Sequence, residues 1–226
     1  MTIMTRRIES SDSESIMDWF EDEIGEGENS VLVYPNLPRF REIYTEYAKN
    51  QLTKADNEEE VIDNNNNSIR NEQLLMQPRI LLISTFYDTV NAVKHNLSAV
   101  GIDVQSHIED GSLLIVDSFQ AHYPDIDGMK KLVASLSERA RKEGRVGVTA
   151  IINTGFFFLY GRDVDGSNLI SYEASLTPKT DGGNVRGFSC YHLKNYRKFN
   201  DGQKGELFAQ GQKKLLEVTE SAVASL

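Results

Sequence analysis

Three short apolar runs with helix-like patterns between them set the strongest constraint on the fold of this chain. The runs cover residues 80–83, 113–116 and 146–152 and are dominated by Ile, Leu and Val. The first two are continuous, which is typical of strands covered on both faces. The segments between the runs have apolar stripes at helical spacing: Val90, Val93, Leu97 and Val100 in one, and Met129, Leu132, Val133, Leu136 and Ala140 in the other. This alternation predicts an α/β fold with a mainly parallel central sheet and helices on both faces.

Other elements are predicted on both sides of this alternation. Periodicity and turn residues predict a helix capped by Ser13 over 16–24, a strand over 31–34, helices over 37–52 and 171–176, a strand over 185–193 and a closing helix over 206–226. A cap at Asp88 is predicted for the helix that begins near Val90.

Two polar stretches do not fit the alternation. Residues 1–13 are rich in serine and predict a disordered N-terminal tail. Residues 53–77 contain four consecutive asparagines and predict a flexible, acidic and Asn-rich surface insertion. Residues 14–226 are then predicted to form a single domain that carries this insertion.

Composition and charge narrow the classes of function. No apolar run is long enough to span a bilayer, the N-terminus lacks the pattern of a secretory signal, and the single cysteine excludes an intramolecular disulfide. A cytoplasmic location is therefore expected. The net charge of −10 comes from residues 1–78, which hold 17 Asp and Glu against 7 Lys and Arg. This acidity disfavours general nucleic-acid binding, because the phosphate backbone would be repelled.

The sequence lacks a phosphate-binding loop where a nucleotide-binding α/β protein would need one. Asp117 follows four apolar residues and has the form of a Walker B carboxylate, which would hold Mg²⁺ at a nucleotide phosphate. The loop after the first predicted strand, however, is residues 35–39, with two prolines and neither glycine nor lysine. Proline provides no amide donor and restricts the backbone. Hydrolysis by a conventional P-loop mechanism is therefore not expected.

Polar and aromatic residues follow several predicted strands, at the edge of a parallel sheet where ligands normally bind. The aromatic run over 156–160 is expected mainly in the core, although part of it could line a cavity, and Glu173 on a predicted helix is placed near the same area. The sequence thus predicts a ligand pocket formed by six residues: Tyr34, Thr85, Tyr87, Asp117, Phe156 and Glu173.

The remaining reactive side chains do not form a recognisable catalytic or metal-binding pattern. The four histidines lack metal-ligand spacing, and exposure is expected for His95 and His107. Cys190 is expected to be a buried thiol. The acidic turn at 163–166 departs from a calcium loop. Residues 192–199 mix basic and aromatic side chains, for which contact within the chain or a solvated face is favoured over contact with RNA or an acidic partner. No metal and no cofactor are predicted.

Several of these motifs resemble known families. Residues 101–104 and 108–118 resemble a segment of circadian-clock and RecA-like ATPases, where it forms a helix, a tight turn and the Walker B strand. The motifs Asn153-Thr154-Gly155, Tyr172-Glu173-Ala174 and Cys190-Tyr191 resemble those of the MEDS domain (methanogen/methylotroph sensory domain). The likeness covers roughly residues 29–219. It implies a RecA-like three-layer sandwich without a working P-loop, and a role in sensing small hydrocarbon derivatives.

The favoured functional prediction is a non-catalytic sensory or partner-binding domain in signal transduction or transcriptional regulation. Its ligand would be small and apolar or aromatic, and its partner would be a kinase or a transcription regulator; a homo-oligomer is possible, and no membrane contact is expected. Two alternatives stay open. One is a structural subunit of a RecA-like assembly, and the other is a divergent nucleotide-dependent enzyme that uses Asp117 and Glu173 with Mg²⁺.

Overall fold

The computed structural model describes residues 4–9, 13–20, 28–59, 78–122, 127–159, 169–170, 172–173, 184–209 and 212–220. Within these residues, seven strands form one sheet in the order β1-β7-β2-β6-β5-β3-β4, and every strand pair is parallel. The strands are β1 (Met4–Glu9), β2 (Asn29–Tyr34), β3 (Ile80–Thr85), β4 (Leu113–Asp117), β5 (Val148–Asn153), β6 (Val185–His192) and β7 (Gln212–Thr219).

Nine helices connect and cover these strands in the described part of the chain: α1 (Ser13–Asp18), α2 (Leu37–Glu59), α3 (Val90–Ala99), α4 (Val104–Glu109), α5 (Ser118–His122), α6 (Gly128–Lys142), α7 (Gly155–Leu159), α8 (Leu193–Tyr196) and α9 (Asp201–Ala209). Leu169, Ile170, Tyr172 and Glu173 are also helical. None of the described helices combines the length and apolar character that crossing a membrane requires.

The sheet separates two apolar cores, because side chains alternate between its faces. On β2, Leu32 and Tyr34 join the core beneath α1 to α4, whereas Val31 and Val33 join the core beneath α6 to α9. The predicted α/β class is therefore confirmed, with an all-parallel sheet flanked by helices that is consistent with a RecA-like three-layer sandwich.

Local capping explains where several helices begin and end. The side chain of Asn36 accepts a hydrogen bond from the Arg39 amide (3.0 Å) at the start of α2. Gly101 follows α3 with a φ of 91°, in the left-handed region that glycine adopts without a steric penalty. The prediction that Asp88 caps α3 is wrong. Thr89 accepts from the Ala92 amide (3.1 Å), and Asp88 binds Arg41 instead.

The first polar stretch is partly ordered, contrary to the predicted tail over 1–13. Residues Met4–Glu9 form β1, which pairs in parallel with β7, and Ile8 is buried. Residues 13–18 form α1. The neighbouring strand supplies the backbone partners that the polar sequence of β1 could not reveal.

The C-terminal prediction is also wrong, since the closing helix expected over 206–226 is absent from the described residues. Helix α9 ends at Ala209, and β7 follows it as an inner strand between β1 and β2. The predicted flexible insertion starts too early, because α2 continues to Glu59. The rest of that stretch, 60–77, lies outside the described residues.

Candidate functional site

A groove lies at the carboxyl ends of three adjacent strands, β2, β6 and β7. The register aligns Tyr34 with His192 and Val33 with Glu217, so the chain leaves the sheet at similar heights on all three strands. The groove has a volume of about 570 Å³. Eight residues line it: Pro35, His192, Leu193, Lys194, Arg197, Glu217, Thr219 and Glu220.

The two acidic residues of the groove are already engaged by other side chains. The Arg7 Nε donates to the Glu217 carboxylate at 2.9 Å, which joins β1 to β7. The Asn36 Nδ2 donates to Glu220 Oε1 at 3.2 Å. Each carboxylate therefore has a donor from within the chain.

The two basic residues of the groove are in a different situation. Lys194 and Arg197 are both exposed, and neither forms an ion pair with any residue that the structure describes. They are three positions apart along α8 and its C-cap, a spacing that places side chains on one face of a helical turn. The groove therefore has two cations available to a ligand.

His192 lies between this basic turn and the core. Its ring is half-buried and lies edge-on to the Tyr34 ring, with 5.5 Å between the ring centroids. The Lys194 amide donates to its Nδ1 at 3.1 Å. Burial, and to a lesser extent the charge of Lys194, lowers the pKa of His192 below its ordinary value. The burial of the ring thus favours its neutral form.

A chain of hydrogen bonds holds the basic turn against the rest of the molecule. The buried Asn195 donates through Nδ2 to the Tyr87 hydroxyl at 2.9 Å. The loop that carries Tyr87 is fixed by Thr85, whose Oγ1 donates to the Asp88 carbonyl at 2.8 Å. Arg41 of α2 donates twice to the Asp88 carboxylate, at 2.6 and 3.0 Å. The groove wall is therefore connected to α2 through these hydrogen bonds and the backbone of the 85–88 loop that joins them.

The structure distributes the six predicted pocket residues over several places. Tyr34 is fully buried, and the Asn153 Nδ2 donates to its hydroxyl at 3.1 Å. Thr85 is also buried, while Tyr87 is half-buried beside the groove wall. Phe156 is buried, with its ring packed edge-on against those of Phe86 and Phe119. Tyr34, Thr85 and Phe156 are thus buried, as is Glu173, and none of the six predicted residues lines the groove.

Glu173 has its carboxylate in the core, where it is 1% exposed. Two hydroxyls of β6 donate to it, Ser189 Oγ at 2.6 Å and the Tyr191 hydroxyl at 2.8 Å. Burial, with an added contribution from the negative charge of Glu173, raises the pKa of Tyr191 well above its ordinary value. This geometry gives Glu173 a structural role, fixing its helical segment to the sheet.

Asp117 is remote from the loop that would hold a nucleotide phosphate. Its strand β4 is at the edge of the sheet, four strand positions from β2. At about 4.8 Å per position, the two strand ends are roughly 19 Å apart, too far for one magnesium ion to bridge them. The Asp117 carboxylate instead accepts from the Gln120 amide at 3.1 Å. In the described ranges, no three His, Cys, Asp or Glu residues are grouped closely enough to hold a metal ion.

Other predictions about single residues have mixed outcomes. Cys190 is fully buried as predicted, and burial raises the pKa of its thiol. His95 is exposed as predicted, but the prediction for His107 is wrong. His107 is buried, with 2.9 Å between its Nδ1 and Ser112 Oγ. The turn at 163–166 lies outside the described residues.

Sequence reasoning singled out the basic stretch 192–199 but did not connect it with a pocket. Lys194 and Arg197 are exposed, as for a solvated face, and the aromatic residues Tyr196 and Phe199 are buried beneath them. Glu217 and Glu220 were missed, because the segment that carries them was predicted to be helical. A strand prediction over 212–219 would have placed them at the same sheet edge as His192.

Compared with known proteins, the sequence matches no family model and has no significant match among curated proteins. The resemblance to the MEDS domain therefore stays a prediction that rests on its three short motifs.

Proposed function

We propose that this chain is a non-catalytic binding domain that senses a small ligand in the groove at the ends of β2, β6 and β7. In this proposal, ligand binding controls a regulatory protein partner, such as a kinase or a transcription regulator. The observation that carries the proposal is the groove itself, about 570 Å³ at the sheet edge where parallel α/β proteins bind ligands.

The way the groove is built supports binding over catalysis. Its wall is fixed by the Asn195–Tyr87 hydrogen bond and by the Asp88–Arg41 ion pair. A preformed site loses less conformational entropy when a ligand binds. The Thr219 hydroxyl of the lining donates to the Ile8 carbonyl at 3.3 Å, and the charged side chains of the groove could select a ligand.

Thermal-shift screening followed by calorimetry tests the proposal. The panel should contain small apolar and aromatic compounds as well as charged metabolites. A ligand at one hundred times its Kd stabilises a protein by about 2.7 kcal/mol, which for a chain of this size raises Tm by roughly 5–10 °C. We expect at least one compound to give such a shift and to bind with a stoichiometry near one.

A pair of tryptophan variants ties the binding to the groove. Glu220→Trp places a large ring at the groove, whereas Glu109→Trp places the same ring at an exposed position on α4. Binding should be lost in the first variant and kept in the second. The proposal is wrong if no compound in a broad panel shifts Tm, or if Glu220→Trp binds as well as the unaltered protein.

A further inference from the structure

We infer that the groove selects a small multivalent anion, a metabolite with phosphate or clustered carboxylate groups, through Lys194 and Arg197. This inference rests on the proposed function and deepens it by naming the chemical class of the ligand. It differs from the apolar or aromatic ligand that the sequence alone suggested.

The charges around the groove favour an anion. The acidic side chains Glu217 and Glu220 already accept hydrogen bonds from Arg7 and Asn36, at 2.9 and 3.2 Å. Lys194 and Arg197 are exposed and form no ion pair within the described ranges of the chain. Arg7 balances the charge of Glu217, whereas Asn36 is neutral and leaves the charge of Glu220 in place. Lys194 and Arg197 together outweigh that one carboxylate, so the net charge of the groove is positive.

The two cations are also placed to act on one ligand. Their spacing of three residues puts them on the same face of the turn, and both line the same groove. Arginine binds phosphate or carboxylate through two parallel N–H groups, and lysine adds a mobile point charge. A ligand with two or more negative groups could contact both residues at once.

The surroundings of the two cations favour an anion that contacts them closely over anions in general. The chain carries a net charge of −10, so an anion is repelled by the molecule as a whole and gains only from close contact with the cations. Their backbone is held by the Asn195 side chain, which binds Tyr87, and by the His192 ring, which accepts from the Lys194 amide. The backbone that carries the two charges is thus fixed before the ligand arrives.

Titration calorimetry at low ionic strength tests this inference with two probes, inorganic phosphate and citrate. Saturable binding of citrate with weak phosphate binding indicates a carboxylate ligand, and the reverse indicates a phosphate ligand. Lys194→Glu and Arg197→Glu should each weaken binding at least tenfold. Lys130→Glu makes the same charge change at an exposed position on α6 and should alter the Kd by less than twofold. The His192 ring provides a second readout, since its NMR signals should shift with each binding anion.

Three results would overturn the inference. They are the absence of saturable binding of either anion, equal weakening by Lys130→Glu, and unchanged binding in both reversal variants. Glu217→Gln adds a further check, because loss of anion binding in that variant would point to a zwitterionic ligand instead. If a neutral or apolar compound shifts the His192 signals and the anions do not, the proposed function holds and the anion inference fails. If no compound shifts them, both fail.

Discussion

At the scale of single residues, Glu173 illustrates how a charged group can be kept in an apolar core. Its carboxylate accepts from Ser189 and Tyr191, two residues that lie two positions apart on β6 and so face the same side of the sheet. A buried carboxylate without such donors would be strongly unfavourable. The two hydroxyls also depend on Glu173, because they need an acceptor when they are buried.

Replacing Glu173 should therefore destabilise the fold, because the hydroxyls of Ser189 and Tyr191 lose their shared acceptor. We expect Glu173→Ala to lower the free energy of unfolding by about 2–4 kcal/mol, since it leaves the Ser189 and Tyr191 hydroxyls without this acceptor. Glu173→Gln keeps one acceptor oxygen and should cost roughly half as much. Urea denaturation measures both values.

The double variant Glu173→Ala/Tyr191→Phe serves as the control for this prediction. Removing the Tyr191 hydroxyl also removes one of the two buried donors, so the double variant should be more stable than the sum of the single changes predicts. A change below about 0.5 kcal/mol for Glu173→Ala would contradict the structural role of the carboxylate.

At the scale of elements, the short helix α8 is joined to a distant loop by a side-chain hydrogen bond. Asn195 donates to the Tyr87 hydroxyl at 2.9 Å, and Tyr87 itself packs so closely on Gly155 that a β-carbon at this glycine would lie within 2.8 Å of the tyrosine ring. A four-residue helix has little stability of its own. The position of Lys194 and Arg197 in the groove therefore depends in part on a contact outside α8.

The variant Tyr87→Phe should loosen α8 selectively. We expect a loss of about 1 kcal/mol in unfolding free energy, together with faster hydrogen exchange of the amides of residues 193–197 and weaker binding in the groove. Tyr44→Phe is a matched control, because Asn96 donates to the Tyr44 hydroxyl at 2.7 Å between α2 and α3, away from the groove. Tyr44→Phe should lower the unfolding free energy by a similar amount and leave hydrogen exchange in α8 unchanged. Equal exchange rates in the two variants would contradict the role of Tyr87.

The elements also show what the sequence could and could not predict. The continuous apolar runs of β3 and β4 and the stripes of α3 and α6 specify their structures locally, and all four are confirmed. Strands β1 and β7 are mixed in polarity, and their state depends on pairing with each other across the sequence. The groove lies partly on β7, so its acidic side could not be predicted without that pairing. Its basic side was visible as a stretch of charge, but the pocket it lines comes from the strand order.

At the scale of the whole molecule, buried tyrosines connect stability with alkaline pH. Burial is the main cause that raises the pKa of Tyr34, Tyr172 and Tyr191 above the ordinary value of 10.0. The folded state then holds these phenolic protons more tightly than the unfolded state does. Their contribution to stability is complete below pH 10 and is lost as the pH rises above it.

We therefore expect the free energy of unfolding to fall above about pH 10. Each tyrosine that ionises only after unfolding contributes a slope of about 1.4 kcal/mol per pH unit. Denaturation curves recorded between pH 8 and pH 11 measure the total slope of the unfolding free energy against pH. Tyr34→Phe should reduce this slope by about one such contribution. A stability that stays level up to pH 11, or a slope unaffected by Tyr34→Phe, would contradict this expectation.

The position of β2 has a consequence for the order in which the molecule folds. Val31, near the start of the chain, lies beside Ser189 on one side and Leu215 on the other. Each of these pairings closes a loop of more than 150 residues, and contacts so distant in sequence form slowly. During synthesis, β2 cannot pair with its neighbours in the sheet until β6 and β7 have emerged from the ribosome. Its apolar residues depend meanwhile on local collapse with α2, or on a chaperone, for protection from aggregation.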